Sequence, residues 1–326
     1  MASADIGRGA ARSAFLAVGA GLAVLAPYVA HASSGLDQSF LQPMGPVAEE
    51  QYDHLLRVIG ITMVVILPVL IGVPYILWRY RYAKPRGDYR PEWEFSKGLE
   101  WALWGVPVAV VLVLAGWLWH STAKLDPYRP LGPEPLQVQA IGLDWKWVFI
   151  YPDEGIATVD ELVVPVGRPV ELTLTTDTVM QSLLISSLTG QIYAMPGMTT
   201  KLNFAASRTG EAEGENTQFN GRGFGRQKFV VRALDPAEYV DWARGAYRDL
   251  VLDGPTYATL RRQSVLIEAR DDLGLEKGAE PIVMALGVTD LFDRIVAKYH
   301  SRGTADRVGA LGGTGLPSDT AKESGR

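Results

Sequence analysis

The side chains of this sequence that could do chemistry are few, and their spacing restricts what they can do. Met180, Met195 and Met198 fall within 19 residues of one another, and thioether sulfur suits copper(I). Such an ion also wants imidazole or thiolate, whereas the chain has no Cys and only four His, at His31, His54, His120 and His300. The three Met therefore read as adaptable filler of a core or an interface. Gly221-Arg222-Gly223-Phe224-Gly225 has the glycine density of a phosphate cradle. It lacks the lysine of that motif and opens into the strand-like QKFVV rather than a helix. Trp145 and Trp147 stand two apart on one presumed strand and so share a face, where the rings either carry electrons or pack. Glu100 precedes an apolar run, where a carboxylate either snorkels to water or serves proton movement.

The elements that must hold these residues begin with membrane spans. Of 326 residues, 48% are hydrophobic and 21% charged, enough for one extramembrane domain plus apolar segments. The formal net charge of −5 gives no electrostatic reason to bind nucleic acid. Arg8 and Arg12 precede the apolar SAFLAVGAGLAVLAPYV, and Ala30-His31-Ala32 offers the small-x-small site of a signal peptidase. Residues 1–32 thus read as an export signal, or else as an uncleaved first helix. Residues 33–54 would follow as a periplasmic segment and 55–120 as a two-helix hairpin, with spans near 55–78 and 101–120, each about the 20 residues a bilayer core needs. Trp101, Trp104, Trp117 and Trp119 lie towards the ends of the second span, at headgroup depth. The intervening loop carries Arg79, Arg81, Lys84, Arg86, Arg90 and Lys97, while residues 33–54 hold no Lys or Arg. That asymmetry places the loop in the cytoplasm and everything after about residue 121 in the periplasm.

Beyond the Pro-rich linker 121–135 the pattern changes to short β-rich runs. LQVQAIGLDWKWVFIY, ATVDELVVPV, PVELTLTTD, QSLLIS, TKLNFAAS and QKFVVRAL predict a β-sandwich over 136–234. Asp235-Pro236-Ala237-Glu238 has the form of a helix start, opening a helical extension over 235–302. The Gly/Ser/Thr-rich stretch 303–326 has too little apolar surface to order itself.

Several strings together, LEWALWGVPVAVV, GLDWKWVFIYP, DELVVPVGRPVELTLTTD, VMQSLLISSLTGQIYAMPGMTTKL and NGRGFGRQKFVV, resemble subunit II of cytochrome bo-type ubiquinol oxidases across roughly residues 45–300. These are relatives of subunit II of cytochrome c oxidases. The resemblance implies a membrane-anchored all-β protein: a transmembrane helical hairpin, a periplasmic cupredoxin-like sandwich and a short helical extension. In the cytochrome c oxidase branch a dinuclear copper centre takes two His, two Cys, a Met and a Glu carbonyl. At the matching positions this chain has Gln181 and Gln227 for the His pair and Phe219 and Gly223 for the Cys pair, with Gly221 for the Glu and Val230 for the Met. Amide, glycyl and apolar side chains cannot replace soft ligands, so the resemblance implies no metal here and quinol rather than cytochrome c as electron donor.

The resemblance further implies that haems, catalytic copper and the quinol site belong to a partner subunit I, accompanied by smaller membrane subunits. This chain would be a non-redox part of a proton-translocating ubiquinol oxidase in the bacterial inner membrane, with Glu100 near the entrance of a proton path. Without copper to receive electrons, Trp145 and Trp147 read as packing. Two other readings stay open at this point: a membrane-anchored sandwich for binding or adhesion, and a cytochrome c oxidase subunit with a degraded copper site.

Overall fold

The computed structural model describes residues 41–81, 92, 94–245, 250–276, 278 and 280–300. The expected signal, the 303–326 tail and Lys84, Arg86 and Arg90 of the basic loop lie outside the described residues. Helix α1 spans Pro46–Arg79 and α2 spans Lys97–Lys124. At 1.5 Å per residue, 34 and 28 residues make about 51 and 42 Å, more than the apolar stretches alone supply. Most of the excess sits at the domain end, where polar turns are pinned to the β-domain, and the rest is the first turn of α2, Lys97 to Glu100, at the other end. Met44 N–H donates to Ser187 O and Met44 O accepts from Ser207 N–H, both at 2.7 Å. Lys124 Nζ meets Glu50 at 2.6 Å, joining the two helices. Gly45 is required there, since a Cβ would lie 2.1 Å from Ala205 O. Along the spans Leu70, Ile71, Leu112 and Trp119 are exposed in the isolated chain, as expected of faces that meet lipid or a partner helix.

The β-domain is a sandwich of two sheets. Its strands are β1 Leu136–Leu143, β2 Lys146–Tyr151, β3 Ile156–Val159, β4 Glu161–Pro165, β5 Pro169–Thr176 and β6 Gln181–Leu184. They continue as β7 Gln191–Ala194, β8 Thr200–Ala205, β9 Gly210–Asn216, β10 Lys228–Leu234, β11 Val251–Leu252 and β12 Ile282–Leu286. One sheet has the order β11-β12-β3-β2-β1-β5-β8, the other β4-β10-β9-β6-β7. Helices α3 Pro236–Gly245, α4 Gly254–Leu260 and α5 Leu266–Asp272, with α6 over residues 291–300, complete the C-terminal part.

Two expected strands are each broken by a residue of positive φ. Trp145 (φ 69) turns β1 into β2, and Asp160 (φ 58) lets β3 pair in one sheet and β4 in the other. Trp145 and Trp147 therefore do not share a strand face. Trp147 lies on β2 in the core between the sheets, edge-on to Phe229 with ring centroids 6.3 Å apart. Strands β7 and β9 were not expected: GEAEGEN has little intrinsic preference for extended structure and is carried by its antiparallel pairing with β10. The 235–302 extension is also more than helical, because β12 pairs with β3 and so widens the larger sheet. Strand β2 is consequently buried on both faces, with Trp147, Phe149 and Tyr151 in the sandwich core and Val148 and Ile150 against Leu252, Tyr257, Leu260 and Phe292 of the extension.

Candidate functional site

At one pole of the sandwich the chain brings together Gln181, Gly221, Gly223 and Gln227, which lie in β6 and in the loop leading to β10. Both glutamines are fully buried. Gln181 Nε2 donates to Leu143 O at 2.9 Å, and Gln181 Oε1 accepts from Gln227 Nε2 at 2.6 Å. Gln227 Oε1 in turn accepts from Asn220 Nδ2 at 2.7 Å and Asn216 Nδ2 at 3.0 Å. Asn216 Oδ1 accepts from the backbone N–H of Ser182 and of Gln218, both at 3.0 Å. Gln181, Gln227 and Asn216 thus each use donor and acceptor on protein groups, which is what makes burial of polar side chains tolerable, while Asn220 Oδ1 is buried without a partner.

Above this network lies Trp145, whose Nε1 donates to Asn220 O at 3.3 Å. A Cβ on Gly223 would sit 2.1 Å from the indole, and one on Gly221 3.4 Å. The ring fills the space over the loop that a side chain at 223 would need. Phe219 and Val230 are not part of the cluster. Phe219 is 72% exposed and meets Phe224 at a centroid distance of 5.6 Å, while Val230, 38% exposed, faces outward on β10. The donor set is carboxamide and indole, with the carboxamides already paired to one another; it does not fit a dinuclear copper centre. Among the described residues no group of three or more His, Cys, Asp or Glu is placed to hold a metal. Met180 and Met198 are exposed rather than core filler, and Met195 O accepts from Thr175 Oγ1.

Beside the amide network, Asp177 forms an ionic cluster. Its Oδ2 accepts from Arg261 Nε at 2.8 Å and Tyr257 OH at 3.0 Å, and its Oδ1 from Lys298 Nζ at 2.5 Å and Tyr299 OH at 3.1 Å. Burial and the neighbouring Asp177 charge push the Tyr257 hydroxyl well above the usual phenol range. Behind β2, Lys146 Nζ donates to Ser264 O at 2.6 Å, Ser264 Oγ at 2.9 Å and Arg262 O at 3.1 Å. Burial lowers its pKa to about 8. Asp160 Oδ1 accepts from Trp147 N–H at 2.7 Å, and burial raises the Asp160 carboxyl to about 8.

Glu100 sits far from this pole, in the first turn of α2, 24 residues or about 36 Å of helix before Lys124. Its Oε2 accepts from Trp104 Nε1 at 3.2 Å, one turn on. A carboxylate there is favoured by the helix dipole and stays half-exposed.

No family model matches the chain. Among known proteins it is 38% identical over 270 residues to cytochrome bo(3) ubiquinol oxidase subunit 2 of Pseudomonas putida, covering 82% of each chain. It is 34% identical over 279 residues to ubiquinol oxidase subunit 2 of Acetobacter aceti, covering 84% of this chain and 87% of that one. The chain belongs to the ubiquinol oxidase subunit 2 family. Among solved structures it is similar to the periplasmic domain of cytochrome oxidase subunit II of Bradyrhizobium japonicum, at 24% identity over 37% of this chain and 96% of that chain, with a TM-score of 0.34.

Sequence reasoning missed Asn216, Asn220, the Leu143 carbonyl and the whole Asp177 cluster. Asn216 precedes the aligned loop and Asn220 lies within it beside Phe219, and neither carries a motif of its own. Only the demand that Gln181 and Gln227 be satisfied if buried could have prompted a search for them.

Proposed function

We propose that this chain is the non-redox subunit of an oxidase in which two ubiquinol molecules reduce one O2 to two water molecules, coupled to proton translocation. Haems, catalytic copper and the quinol site reside in partner subunit I, against which the hairpin packs together with smaller membrane subunits. The six basic residues of the 79–97 loop support a cytoplasmic loop and a periplasmic domain. The observation that carries the reading is the amide network: the two positions aligned with the copper-binding His pair are occupied by carboxamides, Gln181 and Gln227, bonded to one another. The chain then contributes structure, and at Glu100 a titratable group where a path for protons from the cytoplasm begins. Its contact with Trp104 orients the carboxylate while leaving one oxygen for water.

The test is donor specificity of the oxidase purified through this chain. It should oxidise ubiquinol and leave reduced cytochrome c untouched; comparable rates with cytochrome c would overturn the assignment. In the same complex Glu100→Gln and Glu100→Ala should each slow quinol-driven oxygen reduction on the order of threefold to tenfold, with haem content unchanged. Water can still deliver protons more slowly, so the loss is partial. Parental turnover in both variants removes the proton-entry role and leaves the donor assignment standing.

A further inference from the structure

Where the hairpin meets the β-domain there is a cleft of about 760 Å³, walled by Ala115, Leu118, Trp119 and Leu125 and edged by His54 and Asp126. Its depth relative to a bilayer follows from the sequence. The uncharged run Val58–Trp78 is 21 residues, about 31 Å of helix, and Trp101–Trp119 is 19 residues, about 28 Å. Each nearly matches a hydrocarbon core of about 30 Å. Arg57 and Trp119 therefore stand at its domain-side boundary, and the cleft opens at the level of lipid headgroups, with its apolar wall reaching towards the acyl chains.

The polar edge carries both signs of charge. Trp117 Nε1 donates to His54 Nδ1 at 2.9 Å, so the neutral imidazole keeps its proton on Nε2, which is left to donate. The Arg57 guanidinium lies 4.9 Å from the centroid of the same indole and forms a half-exposed ion pair with Asp53 at 3.6 Å. Across the cleft, Asp126 uses Oδ1 to accept from Tyr128 N–H at 2.9 Å and is otherwise exposed. Lys124, the nearest cation in sequence, is engaged by Glu50 at 2.6 Å rather than by Asp126. A donor pair at headgroup depth fits phosphate oxygens, and a carboxylate facing it fits a cation carrying N–H groups.

We infer that this cleft binds a phospholipid whose headgroup joins a phosphate to a primary ammonium, of the phosphatidylethanolamine class. The phosphate is held by His54, with the Arg57 charge beside it over the Trp117 ring, the ammonium by Asp126, and the proximal acyl carbons by Leu118 and Trp119. A purely anionic headgroup would leave Asp126 without a cationic partner. A choline headgroup has the charge but no N–H to donate.

The oxidase purified with the full chain can be delipidated, placed in phosphatidylcholine nanodiscs and titrated with phosphatidylethanolamine or phosphatidylglycerol, with bound lipid counted by native mass spectrometry. Phosphatidylethanolamine should be retained about tenfold over phosphatidylcholine, the worth of one charge-assisted hydrogen bond. Asp126→Asn, which keeps the acceptor for Tyr128 N–H, should reduce that preference to less than about twofold. His54→Phe, which keeps a ring against Trp117, should weaken retention of phosphatidylethanolamine. Equal retention of the ethanolamine and choline lipids by the parental complex would overturn the proposal without reference to any variant. A preference for phosphatidylglycerol, or a preference for phosphatidylethanolamine undiminished in Asp126→Asn, would overturn it too.

Discussion

Two buried polar clusters share the segment 177–181 and solve the same problem in opposite ways. At Gln181 and Gln227 the groups are neutral, and each carboxamide pairs donor to acceptor. Four residues earlier, Asp177 draws in Arg261, Lys298, Tyr257 and Tyr299 from the C-terminal extension. The neutral cluster closes a pole within the sandwich; the ionic one fastens a separate layer of helices to it. Neutral amides suit a site that has only to be filled, because desolvating them costs far less than desolvating ions. An ionic clasp suits a junction, because one carboxylate can be reached by several long side chains from different helices.

This contrast predicts unequal responses to single deletions. Asp177→Ala should be the most damaging change, on the order of 3 kcal/mol, because it removes four partners at once: the buried Tyr257 hydroxyl loses its acceptor, and Tyr299 and the partly exposed Lys298 and Arg261 lose theirs. Denaturant unfolding of the full chain in detergent would measure the loss, and limited proteolysis between 250 and 300 would show the extension loosening first. A loss below that of the amide variants would erase the distinction between the two clusters.

Gln227→Leu should come next, at about 2–3 kcal/mol, since it leaves Asn220 Nδ2 and Gln181 Oε1 without that partner. Adding Gln181→Leu should cost less than it does alone, by about 1 kcal/mol in a double-mutant cycle. Strict additivity would mean the glutamines do not act as one network.

A pH-dependent effect tests the contrast at a third position by turning an acid into an amide. Asp160 has a folded-state pKa raised by burial to about 8 from an ordinary 3.8. Its contribution is complete below 3.8 and is lost as pH rises towards 8, because over that range the folded state holds the extra proton. Lys146, lowered to about 8, acts in the opposite sense between 8 and 10.5, where the unfolded state binds more protons and stability rises with pH. Asp160→Asn keeps an acceptor for Trp147 N–H and tolerates positive φ. It should match the parental chain near pH 4 and be the more stable of the two near pH 8. Unfolding midpoints across pH would read this directly, and parallel curves for the two proteins would contradict a buried, titrating Asp160.

The order of elements was legible because each signal is local: apolar length for the hairpin, alternation for most strands, Asp235-Pro236 for the start of α3. The missed elements lack such signals. Strand β9 is written in Gly and Glu, and Gly214 is needed there because Phe229 lies where a Cβ would go, 2.1 Å from its ring. Trp145 looked like a strand residue because alternation says nothing of φ.

What the sequence alone determined was composition-bound: two segments apolar enough to cross a bilayer, and a chain with no Cys and no His at the aligned ligand positions, so that the soft donors a copper pair needs are missing whatever the fold. What took their place was decided only in three dimensions. Gln181 pairs with Gln227 across 46 residues, Trp145 covers Gly223 across 78, and Asp177 reaches Lys298 across 121. Leaving a buried donor or acceptor without a partner costs about 1–3 kcal/mol, so buried polar side chains depend on the partners they find. Those partners are chosen by which strands and helices meet, a property of the packed chain that no local stretch of residues contains.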